Sequence, residues 1–344
     1  MLQKVLLCTA LVGAVCGQGR SSGPVTYASM DPCRQGGCAS TIFDKGYFFQ
    51  VNSVSAPPTG YALWGPDGNF RYQTSVLAPD GTSAHLRDWA IDEDGTVIVT
   101  MSYGGYGGNG HVKGGGIVML SPSGMQTQFI DTSRWLPAFA SFGPDHSIWV
   151  TGTQFAPLRE GDPRDHISSA DYRMLRKYSR DGKLLGEFAP RSWYPAGLEP
   201  FDSGLPWVRA ATDRIAVLAH PGKTANQPEL VEFDLDGKLI GRWKLGPEII
   251  GDPDTRNATY ILGQLVFTSD GRLFAQPYDG TKPHHLAVFD RATSSWMKIA
   301  MPKNIPSRSS LVGAMGDALA FENRTENVEL FLTPVGSIGP IGSR

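Results

Sequence analysis

The chain has 344 residues, 19% of them charged, and a formal net charge of −2. No basic stripe and no acidic tail accompanies that balance, which argues against a nucleic-acid partner and against a solvating role. The 41 glycines and 25 prolines imply many turns, and the length suffices for one large all-β domain.

The first residues carry Lys4, an apolar run over 5–15, and then Cys16, Gly17 and Gln18. A basic start, an apolar core of about a dozen residues and small residues at its end fit a secretory signal peptide. Residues 1–17 are expected to be that leader, cut after Gly17. The run is shorter than the roughly 20 apolar residues of a bilayer span, and no later segment reaches that length. The expectation is therefore an exported protein, periplasmic or extracellular, with no transmembrane segment. Acylation of Cys16 is the alternative, with Val15 a poor neighbour for that processing. Past the leader only Cys33 and Cys38 remain, separated by a stretch that includes Gly36 and Gly37. In an oxidising compartment they read as a disulfide, a loop worth about 2 kcal/mol.

From there one pattern recurs: apolar strand, tight Asp/Gly turn, apolar strand. Its clearest copies are 89–100 around Asp94-Gly95, 140–151 around Asp145-His146 and 265–275 around Asp270-Gly271. Weaker copies are 208–218, 311–321 and a first one around Asp44, Lys45 and Gly46. Second hairpins follow at 61–74, 117–130, 174–188, 230–245 and 286–299. Gly and Asp tolerate the positive φ such turns need, so each is a hairpin signal with a mechanism. Two hairpins make a four-stranded antiparallel blade of roughly 45 residues, within the range of propeller repeats. Blades then begin near residues 39, 87, 138, 207, 263 and 309, which predicts an all-β, six-bladed β-propeller as a single domain over 18–344. The last blade has three strands before a short tail at 336–344, and a strand over 24–30 is expected to supply the fourth and close the ring. Five blades plus a separate hairpin is the alternative count.

The segments Phe142-Gly-Pro-Asp-His-Ser-Ile-Trp-Val-Thr151 and Phe267-Thr-Ser-Asp-Gly-Arg-Leu-Phe274 resemble the repeats of NHL, SMP-30/gluconolactonase and streptogramin-lyase-like propellers. The resemblance covers nearly the whole chain past the leader. Such motifs specify a fold and leave function open. Similarity to the lactonases would imply a Glu early in the first blade and Asn and Asp at later blade starts. This chain has Ala39-Ser-Thr-Ile-Phe and Gln264-Leu-Val-Phe there, so no metal ligand carries over.

Turns within the hairpins are uniformly tight, whereas the connections on the opposite side hold the length: 101–115, 152–173, 189–206 and 246–262. Function tolerates and uses such loops, although drift also lengthens them. Six of the seven histidines map to this side: His85, His111, His166, His220, His284 and His285. So do the aromatic residues Tyr103, Tyr106, Trp135, Trp193, Tyr194 and Trp207, suited to stacking on sugars or docking a peptide. Around the channel mouth the strand ends offer Arg87, Asp88, Tyr103, Gln154, Trp207, Arg209, His220, Gln264 and Tyr278 as binding residues. Each is equally at home as a polar group bonded to channel water. Asp88, His111, His166 and His220 are candidate ligands for a single divalent metal, although no His-x-His, His-x-x-His or HExxH spacing occurs. No catalytic residue is assigned. The leading expectation is a monomeric binding or scaffold propeller that takes a peptide, glycan or protein on its loop-rich face. The alternative is a metal-dependent hydrolase or lyase of the SMP-30/gluconolactonase kind.

Overall fold

The computed structural model describes residues 25–27, 38–52, 60–79, 81, 84–104, 111–157, 165–194, 207–219, 229–245, 260–261, 265–278, 285–307, 309–324 and 328–338. The leader, Cys33, His220, Gln264, His284 and most of the tail lie outside them. For Cys38 and Tyr278 the backbone alone is described.

Strand β1 (Val25–Tyr27) precedes a meander of β2 (Cys38–Asp44), β3 (Tyr47–Asn52), β4 (Gly60–Trp64) and β5 (Phe70–Ser75). The second sheet holds β6 (Ala84–Ile91), β7 (Val97–Gly104), β8 (Val112–Leu120) and β9 (Gln126–Ser133). The third holds β10 (Trp135–Phe142), β11 (Ile148–Gln154), β12 (Arg173–Tyr178) and β13 (Leu184–Pro190). The fourth holds β14 (Trp207–Ala210), β15 (Arg214–Ala219), β16 (Glu229–Asp234) and β17 (Leu239–Lys244). The fifth holds β19 (Val266–Phe267), β20 (Leu273–Ala275), β22 (His285–Asp290) and β23 (Ser295–Ala300), and β18 (Tyr260–Ile261) pairs with β21 (Pro277–Tyr278) in a separate two-stranded sheet. The last meander is β24 (Ser310–Met315), β25 (Ala318–Arg324) and β26 (Val328–Pro334), and β1 pairs antiparallel with β26, Val25 opposite Leu330. A short parallel contact, Phe43 opposite Gly313 and Asp44 opposite Ala314, joins the inner strands β2 and β24. The first and last meanders thereby form one mixed eight-stranded sheet. The fold is all-β and propeller-like.

Turn chemistry explains the hairpins. Gly95, Gly182 and Gly237 take φ of 83°, 86° and 85°, and His146 takes 59° at the position the other turns give to glycine. The turn aspartates act locally: Asp94 Oδ1 accepts the Thr96 N–H at 2.9 Å and Asp145 Oδ1 that of Ser147 at 3.2 Å.

Apolar faces pack between consecutive sheets. Phe49, Tyr61 and Tyr72 of the first sheet share a cluster with Trp89 and Val97 of the second. One cluster runs through the second, third and fourth sheets, with Ile98, Trp149 and Phe233 among its members. Leu230 and Trp243 meet Phe289 between the fourth and fifth sheets, and Phe274 meets Phe321 between the fifth and sixth. Phe48 and Val312 belong to the cluster between the sixth and first. Trp89, Phe142, Trp149, Trp243 and Phe267 thus serve inter-sheet packing.

Two features of the inner strands position the site. The register slips at Ala39 in β2, Arg87 in β6, Ala138 and Phe139 in β10, and Val312 in β24. Such bulges re-aim side chains at a sheet edge. Polar side chains also bond the next sheet's inner backbone. Thr100 Oγ1 donates to the Ala138 carbonyl at 2.5 Å, and the Ala210 N–H donates to Ser141 Oγ at 3.0 Å. Gln276 donates to the Ser309 carbonyl at 3.0 Å and accepts from the Leu311 N–H at 2.6 Å. No described helix is long and apolar enough to cross a membrane.

Candidate functional site

The inner strands of the second, third and fourth sheets bring four expected or newly found side chains together. The bulge in β6 falls on Arg87, next to Asp88. The bulge in β10 falls on Phe139, and β14 opens at Trp207. The Phe139 and Trp207 rings stack with centroids 4.3 Å apart and planes 26° from parallel. Both are partly buried. The Arg209 guanidinium lies 5.8 Å from the Trp207 ring centre.

Beside that stack sits an ion pair with an uneven balance. Arg209 Nη1 donates to the Val208 carbonyl at 2.8 Å and the Ala140 carbonyl at 3.1 Å, and stands 3.7 Å from Asp88 Oδ2. Arg209 Nη2 is buried with no hydrogen-bond partner. Asp88 is buried, and its Oδ2 accepts the Ala140 N–H at 2.9 Å. Burial lifts its carboxyl to about 6, against the opposing pull of Arg209 and of the Ala140 and Trp89 N–H groups. Asp44, at the end of β2, is lifted by burial too, with Lys45 and then Arg209 opposing. Desolvation outweighs attraction at both carboxyls. The site can therefore offer aromatic faces and a guanidinium next to carboxyls that take up protons more readily than usual.

Other expected residues stand elsewhere. Tyr103 packs edge-on against Phe129, centroids 6.2 Å apart, and Gln154 Nε2 donates to the Phe155 carbonyl at 3.1 Å. His111 Nδ1 lies 3.6 Å from Asp165, whose carboxylate also takes Arg134 at 2.9 Å and the Val112 N–H at 2.8 Å. The His166 carbonyl accepts the Ala156 N–H at 2.8 Å. Among the described residues no group of three or more His, Cys, Asp or Glu is placed to hold a metal ion.

The opposite, tight-turn side holds a cluster that sequence patterns did not point to. Asp92, with 1% of its side chain exposed, takes His146 Nδ1 at 2.7 Å, Arg180 at 3.1 Å and Lys45 at 3.4 Å. It ties the first three sheets together. Phe139 was equally unmarked, although Ala138-Phe139-Ala140 is a small-aromatic-small run on a strand whose neighbour opens at Trp207.

No protein-family model and no curated protein matches the sequence. Among solved structures, the chain is similar to a protein of unknown function from Dyadobacter fermentans DSM 18053. That likeness has a TM-score of 0.54 and 8% identity over 91% of this chain and 99% of that one. It is also similar to a protein of unknown function from Bacteroides caccae, with a TM-score of 0.44 and 12% identity over 78% and 84% of the two chains. A gluconolactonase from Xanthomonas campestris gives a TM-score of 0.46 and 15% identity over 83% and 82%. The likeness is one of fold alone.

Proposed function

We propose that the six sheets close into a six-bladed propeller, and that this propeller is an exported binding module. Its ligand, a glycan or a peptide with an aromatic side chain, docks at the channel mouth on the loop-rich face. The observation that carries this is the Phe139–Trp207 stack beside Arg209. Flat apolar faces with a cation at their edge suit a sugar ring or an aromatic side chain, and a guanidinium adds an anchor for a carboxylate. The pairing of β1 with β26, the parallel contact of β2 with β24 and the core clusters between consecutive sheets support closure. Closure leaves no unfinished sheet with a bare edge.

Glycan and peptide arrays probed with the full chain identify the ligand class. Trp207→Ala and Phe139→Ala are each expected to weaken the hit about tenfold, the loss of one well-placed aromatic contact. A double variant that keeps its circular dichroism and its full affinity would overturn the proposal. N-terminal sequencing of exported protein, with mass measured before and after reduction, tests cleavage after Gly17 and the Cys33–Cys38 disulfide.

A further inference from the structure

The turn into an outer strand also serves the preceding sheet. In the second, third and fourth sheets that turn holds Gly124, Gly182 and Gly237. Each rests on the outer strand before it: a Cβ at Gly124 would lie 2.5 Å from Tyr72, at Gly182 2.9 Å from Ile130 and at Gly237 1.9 Å from Phe188. The last meander has no such turn, because its outer strand β1 precedes it in sequence. After β26 the chain instead enters a 3₁₀ turn over Val335–Ser337, closed by the Ile338 N–H on the Val335 carbonyl at 2.9 Å. A cleft of about 410 Å³ is left against the fifth sheet.

Val288 and Met297 are paired on one face of that sheet and line the cleft, and Met297 keeps 46% of its surface exposed. Val335 and Ile338 line the other side. Among the charged groups there, Asp270 and Arg272 take each other at 2.6 Å. Asp290 stands two residues on from Val288, on the same face of β22. It accepts the Ala292 N–H at 3.0 Å and the Thr293 hydroxyl at 2.7 Å, its own turn's bonds, and no described cation pairs with it. The cleft is therefore apolar, with one carboxylate in surplus.

The sequence that follows matches it in both respects. Val335-Gly-Ser, Ile338-Gly-Pro and Ile341-Gly-Ser run as three triplets, and Arg344 comes next. A 3₁₀ helix and a polyproline II helix both repeat every three residues, so these four positions share one face in either form. Val335 and Ile338 already line the cleft, Ile341 is the next apolar side chain, and Arg344 is the one cation in 339–344. At about 3.1 Å per residue, Ile341 can reach about 9 Å beyond Ile338.

We propose that residues 339–344 dock in this cleft, with Ile341 against Val288 and Met297 and with Arg344 supplying the cation that the lining lacks. The segment does for the fifth sheet what a turn does for the first three, independently of what binds at the channel mouth. Disulfide trapping in the full chain tests this. Met297→Cys with Ile341→Cys should cross-link about tenfold faster than Lys298→Cys with Ile341→Cys, because position 298 is also exposed but faces the other way. Arg344→Glu should slow the faster cross-link about threefold, and Arg344→Lys should not. In the otherwise native chain, Ile341→Asp should speed amide exchange at 335–338 about tenfold and Ile341→Val should leave it unchanged, with thermal melts confirming both folds. Equal trapping at positions 297 and 298 overturns the proposal, as does wild-type exchange in Ile341→Asp. Cross-links between chains would seat a second copy in the cleft, and a small molecule retained in native mass spectra beside an untrapped tail would give the cleft to a ligand. Either result overturns it too.

Discussion

Replacing Asp88 by asparagine removes an ionisation that burial holds at about 6, against an ordinary value of 3.8. Between those two pH values the folded protein keeps a proton that the unfolded chain has released. Stability from this group is therefore fully present below about pH 4 and is lost as pH rises through 6. The gap corresponds to about 3 kcal/mol. Urea unfolding of wild type and Asp88→Asn at intervals from pH 4 to 7 reads it directly. The difference in unfolding free energy, wild type minus variant, should fall by about 3 kcal/mol across that range. An ion pair that stabilised the fold would do the reverse, since Asp88 stands 3.7 Å from Arg209 and would gain from being charged. A difference that stays flat, or rises with pH, refutes the argument that desolvation dominates here.

Three further outcomes follow from the geometry. Glu232, with 1% of its side chain exposed, holds Arg214 at 3.2 Å and Arg291 at 2.6 Å. Glu232→Ala should cost about 3 kcal/mol in urea unfolding, because Arg291 loses its carboxylate while Arg214 keeps only Asp213, at 2.6 Å. Gly237→Ala and Gly271→Ala share positive φ of 85° and 79°, but a Cβ at Gly237 would fall 1.9 Å from Phe188 while Gly271 has open space. Gly271→Ala should cost about 1 kcal/mol, and Gly237→Ala clearly more in paired thermal melts. Thr100→Val removes the bond to the Ala138 carbonyl and the one from the Asp88 N–H, and should cost about 1–3 kcal/mol by the same assay.

Much of the architecture was legible because turn chemistry is local. Asp94-Gly95, Asp181-Gly182 and Asp236-Gly237 announce their hairpins in two letters, and positive φ is found at each of those glycines. The lone strand expected over 24–30 is present at Val25–Tyr27, on the outer edge of β26. The site was legible only in part. Asp88, Trp207 and Arg209 stand out as polar or aromatic residues on inner strands. Phe139 does not, because a bulge turns it and no local pattern marks a bulge between small residues. Asp92 looks like any turn aspartate, and only the assembled fold brings Lys45, His146 and Arg180 to it from 47, 54 and 88 residues away.

The side chains that reach the next sheet's inner strand differ at the three junctions described above. Thr100 and Asp88 hold Ala138 and Ala140, Ser141 holds Ala210, and Gln276 holds Ser309 and Leu311. Each repeat thus carries a key cut for one neighbour. A tandem duplication or an exchange of two repeats would keep every hairpin yet set Gln276 against a strand spaced for Ser141, leaving buried amides unanswered. Such a chain can drift in its loops far more freely than it can be reshuffled. Its evolutionary record should hold many substitutions and few rearrangements of repeat order.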